Sequence, residues 1–153
     1  MKVLIALDNS PHSLRAAAYA AEVLPPLPEC GFLLLALSPD IPEGSGELDP
    51  AGPVPELHGD EDHREELEAL QDSLDEAAKL LRDKGVPADR LSQRLRAVNI
   101  SVAQDIVDIA VAEGCDTVVM GRRGLSRVRE LVQGSVSSEV VHKAVNLTVW
   151  VVA

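Results

Sequence analysis

Residues 117–136 read TVVMGRRGLSRVRELVQGSV, and they place a strand, a glycine-containing loop and a helix N-terminus in succession. The apolar run Thr117–Met120 predicts the strand, and Val136 opens the last helical pattern. The glycines between them are Gly121, Gly124 and Gly134. Glycine lets the backbone approach a ligand closely, and a helix N-terminus favours an anion. The stretch therefore predicts either a site for a phosphorylated ligand or a surface loop with turn glycines.

Outward from this stretch, strand and helix patterns alternate along the chain. Strands are predicted at Lys2–Leu7, Gly31–Leu37, Arg90–Ala97, Asp116–Met120 and Leu147–Val152. Helices are predicted after the cap Ser10-Pro11, along the leucine stripe 67–81, after Ser101 and over Val136–Ala144. The alternation predicts a single α/β domain over residues 1–153. Its fold class is doubly wound and Rossmann-like, with a five-stranded parallel sheet and helices on both faces.

Two loops follow the carboxyl ends of predicted strands and carry the candidate chemistry. Asp8 follows the first strand, and the segment 121–134 follows the fourth. Ligands of open parallel sheets bind beyond these ends, where the strand order reverses. The loops share one site only if the first and fourth strands are neighbours, which the order 3-2-1-4-5 provides. The third strand is the most polar, and this favours its position at the sheet edge.

The acidic residues are concentrated in one segment. Residues 43–76 hold 13 of the chain's 25 acidic residues and one base, Arg64, in a chain of net charge −11. Such a segment repels polyanions, and aromatic residues are only 2 % of the chain, too few to stack exposed bases. We therefore expect no nucleic-acid partner. Residues 38–57 contain five prolines and three glycines, which predicts a flexible loop, interpreted as a flap near the ligand.

The cysteine pattern bears on the compartment. Cys30 and Cys115 have no metal or redox spacing, so they are predicted to be buried free thiols in a reducing compartment. The N-terminus runs directly into a strand pattern, and no apolar stretch reaches the roughly 18 residues of a membrane span. We expect a cytoplasmic protein without membrane insertion. His58 and His63 form no compact ligand pattern with the acids between them, and the question of a metal stays open.

The glycine spacing narrows the prediction. Gly121 and Gly124 are separated by two residues, nine more precede Gly134, and Ser135 follows, a spacing that is neither GxxxxGK[ST] nor GxGxxG. With the opening strand, Asp8 and the five-strand pattern, the chain resembles the nucleotide-binding branch of the universal stress protein family over nearly its whole length. The resemblance implies ATP, or AMP or ADP, as the ligand, with Mg²⁺ as an optional companion of the phosphates.

The resemblance also implies a role for each matching residue. It implies that phosphate and ribose contacts are made by Gly121, Gly124, Gly134, Ser135 and Val136, and that Arg123 also contacts phosphate. Adenine and ribose fall to Ala6, Asp8 and Leu37, and Met120 lies in the same pocket. A carboxylate such as Asp8 accepts a hydrogen bond from a ribose hydroxyl. The alternative role for Asp8 is that of a turn residue before the first helix, where Ser10 is the better cap.

No catalytic residue is identified, because phosphoryl transfer needs a positioned nucleophile and usually a metal clamp. The resemblance therefore favours a regulatory or signalling module of the stress response, which binds an adenine nucleotide and acts on an unknown protein partner. The alternatives are a slow ATPase or another nucleotide-dependent enzyme, and a nucleotide-free interaction protein.

The last predicted strand, Leu147–Val152, is apolar and alternates little. An exposed edge of this kind is prone to aggregation unless it pairs with a second copy across a two-fold axis. The resemblance implies the same homodimer. The alternative is that Trp150 belongs wholly to the core of its own chain.

Overall fold

The computed structural model describes residues 1–24, 29–41, 61–123 and 135–153, together with the backbone of 47–48. In chain order its elements are β1 (Lys2–Leu7), α1 (Pro11–Val23), β2 (Gly31–Ser38), β3 (Glu47–Leu48), α2 (Glu61–Asp83), β4 (Leu91–Ala97), α3 (Val102–Ala112), β5 (Thr117–Gly121), α4 (Val136–Lys143) and β6 (Thr148–Val152). The five predicted strands and four predicted helices are present. The helix α2 begins six residues before its leucine stripe. The residues of its first turns are mostly acidic and exposed, so they carry no apolar pattern from which the earlier start could be predicted.

Five of the strands form a parallel sheet in the order β4-β2-β1-β5-β6, which confirms the predicted order 3-2-1-4-5. The central strand β1 pairs with β2 on one side and with β5 on the other. The chain therefore adds strands in one direction after β1 and in the other direction from β5 onward. The switch point lies between the carboxyl ends of β1 and β5, where ligands of such sheets bind.

Two aliphatic cores cover the two faces of the sheet. Successive residues of a strand point to opposite faces, so Val3 and Ile5 pack under α1 and α2, whereas Leu4 packs under α3 and α4. Because both faces are covered, β1 and β2 are almost continuously buried instead of alternating. The two cores fix the helices, and the helices in turn form the walls of the site.

Three helices begin at the carboxyl edge of the sheet with a serine cap. These caps are Ser10, Ser101 and Ser135. The hydroxyl oxygen of each accepts one hydrogen bond from the backbone N–H of the residue three positions later, at 3.3, 3.2 and 3.2 Å respectively. The sequence analysis predicted the first two caps. At the other ends of α2 and α3, Gly85 and Gly114 have φ of 92° and 69°, a conformation that favours glycine and ends the helix.

The turn before α3 is held by a buried carboxylate that sequence reasoning missed. Asp105 accepts hydrogen bonds from the backbone N–H groups of Asn99 (2.6 Å) and Ile100 (3.1 Å). The side chain is within the first turn of α3, where a negative charge also favours the helix dipole. This contact fixes the entry of α3 at the carboxyl edge of the sheet.

The polar edge of the sheet differs from the prediction. β4 is the outermost parallel strand, as its polarity indicated, but β3 pairs antiparallel with it at Leu95 and Arg96. The prediction of an edge is therefore wrong at these two residues. The reason is local: Glu47 and Leu48 of the Pro/Gly-rich segment provide backbone partners that a loop prediction does not include. The rest of the flap prediction, residues 42–46 and 49–57, lies outside the described residues.

Both thiols are free and buried, which confirms the prediction for Cys30 and Cys115. Burial raises the pKa of each thiol above its usual value, so both favour the neutral form. Among the described helices, none combines the length and the apolar character needed to span a bilayer.

Candidate functional site

A cleft of about 520 Å³ opens at the carboxyl edge of β1, β2 and β5. Its walls come from the ends of these strands and from the first turns of α1, α3 and α4, with α2 at its rim. The cleft therefore lies at the topological switch point that the strand order predicts. Its volume falls within the range of about 300–1,000 Å³ that small-molecule sites occupy.

The floor and one wall of the cleft are apolar. The lining side chains are Ala6, Leu35, Leu37, Val102, Ile106, Met120 and Val136. All of them belong to the core beneath α3 and α4 or pack against it. An apolar surface of this kind binds the face of a planar ring, and the small side chain of Ala6 leaves space above the sheet.

Asp8 holds the turn between β1 and α1 and also lines the cleft. Its Oδ1 accepts a hydrogen bond from the N–H of Ser10 (2.8 Å), and its own N–H donates to Ser13 Oγ (3.2 Å). The Ser13 hydroxyl donates to the carbonyl of Asp8 (2.9 Å). Both roles considered for Asp8 therefore coexist, because one carboxylate oxygen supports the turn while Oδ2 makes no hydrogen bond with another described residue.

Gly121 brings β5 into direct contact with the start of α1. A Cβ at this position would lie 2.8 Å from the carbonyl carbon and oxygen of His12, and 3.1 Å from the N of Ser13. Real Cβ atoms essentially never approach other atoms so closely. The glycine is therefore required by backbone packing at a position that lines the cleft.

Two arginines follow Gly121 and border a second cavity. Arg122 and Arg123 line the cleft and also a neighbouring cavity of about 450 Å³ between α4 and the end of β6. Neither guanidinium forms an ion pair with another described residue. Ser137 also lines both cavities and is only 6 % exposed. Its hydroxyl donates a hydrogen bond to the backbone carbonyl of Arg122 (3.1 Å). The β5 end of the cleft is consequently cationic.

The opposite rim of the cleft is acidic. Glu66 of α2 lines the cleft, and its pKa is raised because its carboxyl group hydrogen-bonds to that of Asp40, with slight desolvation of this exposed side chain adding to the effect. His63 Nε2 lies 3.6 Å from Asp40 Oδ1 and works in the opposite direction on the pKa of Glu66. A ligand in this cleft would therefore meet carboxyl groups at one end and guanidinium groups at the other.

The structure brings most of the predicted site residues together. Seven of them line the cleft: Ala6, Asp8, Leu37, Met120, Gly121, Arg123 and Val136. Ser135 lies on the second cavity, where its Oγ is 3.1 Å from Ser137 Oγ. Gly124 and Gly134 lie outside the described residues. The ligand contacts of all ten residues stay predictions.

Sequence reasoning missed several lining residues, and their signals differ. Asn9, Ser13, Val102 and Ile106 sit in the first turns of α1 and α3 or just before them, so the rule that sites form at carboxyl edges would have found them. Ser38 and Pro39 follow β2 in the same way. Glu66 and Leu70 of α2 have no such signal, because α2 follows a long segment that the sequence does not place.

The geometry agrees with comparisons to known proteins. The sequence model of the universal stress protein family matches residues 1–153. The chain belongs to this family. The resemblance found in the glycine spacing and strand pattern is thereby confirmed.

Solved structures of universal stress proteins share the fold. One from Archaeoglobus fulgidus is 22 % identical, with a TM-score of 0.68, and the match covers 100 % of this chain and 93 % of that one. Another from the same organism, in complex with dAMP, is 21 % identical, with a TM-score of 0.66 and 100 % and 98 % coverage. A universal stress protein in complex with cAMP is 19 % identical, with a TM-score of 0.71 and 100 % and 97 % coverage.

These identities establish a shared Rossmann-like α/β fold and no more. Curated proteins provide no sequence match to this chain.

Proposed function

We propose that this universal stress protein binds an adenine nucleotide, which is ATP, AMP or ADP, in the cleft at the ends of β1, β2 and β5. The observation that carries the proposal is that one cleft collects seven residues that the family resemblance places at a nucleotide. Relatives of the same fold form complexes with dAMP and cAMP, and this supports the same ligand class.

The two ends of the cleft suit the two ends of a nucleotide. The apolar surface around Ala6, Leu37 and Met120 matches the face of adenine. We infer that Asp8 Oδ2 accepts a hydrogen bond from a ribose hydroxyl and that Arg123 provides charge for phosphate, since both residues line the cleft. Residues Gly124 and Gly134 are proposed to complete the phosphate contacts through their backbone N–H groups.

We assign the protein a regulatory or signalling role in the stress response, in which nucleotide occupancy changes the contacts with an unidentified protein partner. Mg²⁺ in proteins usually takes one or two carboxylates together with phosphate oxygens. Asp8 is the carboxylate next to the switch point, and it would hold Mg²⁺ if the phosphates bring one. Among the described residues no cluster of three or more His, Cys, Asp or Glu side chains is placed to bind a metal by itself.

The homodimer through β6 is part of this proposal. Val151 on this edge strand is 41 % exposed, and Trp150 is only partly buried against its own chain, where it meets Tyr19 edge to face at 6.1 Å. Light scattering at micromolar concentration tests the dimer, since a monomer contradicts it.

The free buried thiols support a reducing, cytoplasmic location for the protein.

The ligand assignment is tested by filling the cleft. Val136→Trp places a large side chain on the cleft wall, whereas Val111→Trp makes the same change on the exposed face of α3, outside both cavities. We expect isothermal titration calorimetry with ATP and AMP to show binding to the wild type and to Val111→Trp. Binding to Val136→Trp should fall by at least about tenfold, because the indole takes volume in the cleft that the nucleotide needs.

Equal affinity of the two tryptophan variants would reject the cleft as the site. Circular dichroism of both variants checks that each still folds. A simpler observation precedes the titration: the absorbance spectrum of the denatured wild type shows whether an adenine nucleotide is retained through purification.

A further inference from the structure

The cleft has a different chemical character at each of the three strands that end in it. Leu37 and Glu66 line it beside β2, and Asp8 lines it at the end of β1. Arg122 and Arg123 line it at the end of β5. Because β1 lies between β2 and β5, the two outer ends are two strand spacings apart, or about 10 Å. A carboxylate repels phosphate and guanidinium groups attract it, so a nucleotide in this cleft places its phosphate at β5 and its base at β2.

The turn after β2 offers no backbone donor to a base. Pro39 has no N–H group, and the N–H of Asp40 donates to Ser38 Oγ (3.1 Å). Ser38 is only 2 % exposed, and its carbonyl already accepts a hydrogen bond from the N–H of Val98 (3.0 Å). The edge of a base that arrives here consequently meets no backbone N–H from residues 39 and 40.

The exposed polar side chain at this end, among the described residues that line the cleft, is Glu66. Leu70 lies one helical turn further along α2, lines the same cleft and is only 7 % exposed. Residues four apart share one face of a helix, so the burial of Leu70 keeps Glu66 facing the cleft. A carboxylate only accepts hydrogen bonds, and its partner in the ligand must therefore be a donor.

We propose that Glu66 recognises the base of the nucleotide by accepting a hydrogen bond from the exocyclic amino group of adenine. This assignment rests on the proposed function and adds a residue that determines which base is preferred. The amino group N6 is the donor on the edge of adenine, whereas guanine carries the acceptor O6 at the same place. Glu66 repels an oxygen in that position, so the cleft prefers an amino group to a carbonyl group there.

The carboxyl group of Asp40 adds to this preference. It hydrogen-bonds to that of Glu66 and thereby raises the pKa of Glu66. Once the shared proton is lost, two negative charges face each other across this contact. The hydrogens of an amino group carry partial positive charge, and a bound adenine therefore offsets the repulsion that the lost proton leaves.

The experiment deletes the amino group from the ligand. Purine riboside 5′-monophosphate is AMP with a hydrogen in place of N6, so the ratio of the two affinities measures that group alone. Calorimetry at about pH 8, above the range in which carboxyl groups ordinarily titrate, gives both dissociation constants for the wild type, Glu66→Ala and Glu65→Ala. Glu65 is the matched control, because it is an exposed neighbour with the same charge and is not among the described residues that line the cleft.

We expect the wild type to prefer AMP about tenfold, the usual effect of one hydrogen bond to a charged group. Glu66→Ala should reduce this preference to about twofold or less, because alanine has no acceptor, and Glu65→Ala should keep it. GMP should bind the wild type at least about tenfold more weakly than AMP, since its O6 faces the carboxylate. Circular dichroism checks that both variants fold.

The outcomes separate this assignment from the proposed function. A wild type that binds AMP and purine riboside 5′-monophosphate equally, or Glu66→Ala that keeps the full preference, overturns the role of Glu66 while nucleotide binding in the cleft stands. An equal loss in Glu65→Ala reduces the effect to the general charge of α2 and overturns it too. Tighter binding of GMP than of AMP overturns the preference for an amino group. Absence of any nucleotide binding to the wild type overturns the proposed function, and the role of Glu66 falls with it.

Discussion

The two ends of the sheet are built in opposite ways, although the same strands form both. At the amino end, Asp116 Oδ2 accepts the N–H of Lys2 (3.0 Å), the N–H of Asp116 donates to the carbonyl of Lys2 (3.0 Å), and Lys2 Nζ donates to the carbonyl of Glu113 (2.9 Å). Cys30 and Cys115 are buried beside these contacts. At the carboxyl end, the side chains after β1, β2 and β5 surround an open cleft instead.

The difference has a geometric cause. In right-handed crossovers between parallel strands, each helix begins near the carboxyl end of one strand and returns to the amino end of the next. The carboxyl end therefore collects helix N-termini and their N–H groups, which favour anions, while the amino end collects short returns that close on themselves. Loss of a polar side chain at the amino end should therefore affect stability, and loss of one that faces the cleft should affect binding, whereas substitutions at a glycine act through backbone packing at either end.

The strongest contrast compares one glycine from each end of the sheet. Gly121→Ala should destabilise the protein by about 2–3 kcal/mol, because its Cβ meets the backbone of His12 at 2.8 Å and α1 must move. Gly31→Ala at the amino end should be nearly neutral, because its Cβ would be 3.8 Å from Lys2 Cγ and 3.9 Å from the Arg90 carbonyl oxygen. Urea unfolding of both variants measures the difference, and equal stability would contradict the close approach of α1 to β5.

A pair of aspartates separates stability from binding. Asp116→Ala should lower the free energy of unfolding by about 1 kcal/mol, since it removes acceptors for Lys2 N–H and the Thr117 hydroxyl, and should leave nucleotide affinity unchanged. Asp8→Asn should do the reverse. Its amide oxygen can still accept from Ser10, but the charge and an acceptor facing the cleft are lost, so affinity should fall about fivefold.

Thermal unfolding and calorimetry on the same two variants test this separation. Loss of affinity in Asp116→Ala at unchanged fold, or full affinity in Asp8→Asn, would show that the two ends are not independent.

The smallest effect is a pH dependence at the acidic rim. The pKa of Glu66 is raised above 4.5 by its hydrogen bond to Asp40, so the folded state binds this proton more tightly than the unfolded state does. The stabilisation is complete at pH values below 4.5 and is lost as the pH rises through the raised pKa. Because Glu66 is exposed, the change should be small.

The measurement is the urea midpoint as a function of pH for the wild type and Glu66→Gln. The amide keeps a hydrogen-bond donor at every pH, so the difference between the two curves should grow as the pH rises through the acid range. Glu65→Gln, an exposed neighbour, controls for the loss of a negative charge on α2. Curves that stay parallel for the wild type and Glu66→Gln would exclude the shared proton.

The sequence by itself determined the elements, their order and the place of the cleft. Apolar runs such as Lys2–Leu7 predict strands of a parallel sheet, because only a strand covered on both faces buries consecutive apolar residues. Serine caps and glycines mark the helix ends through local contacts. The glycine spacing from Gly121 to Ser135 identified the family, which the match to residues 1–153 confirms. Each of these signals depends on residues close together in the sequence, so it can be recognised without the structure.

Only the tertiary structure decided what depends on residues far apart in the chain. The need for glycine at 121 arises from the backbone of His12, and the acidic rim arises because α2 brings Glu66 next to Asp40. The pairing of β3 with β4, and the cavity that His142 lines together with Arg122 and Arg123, also bring together residues far apart in the sequence. Such contacts follow from how helices and strands pack around two shared cores, and no local pattern specifies that packing.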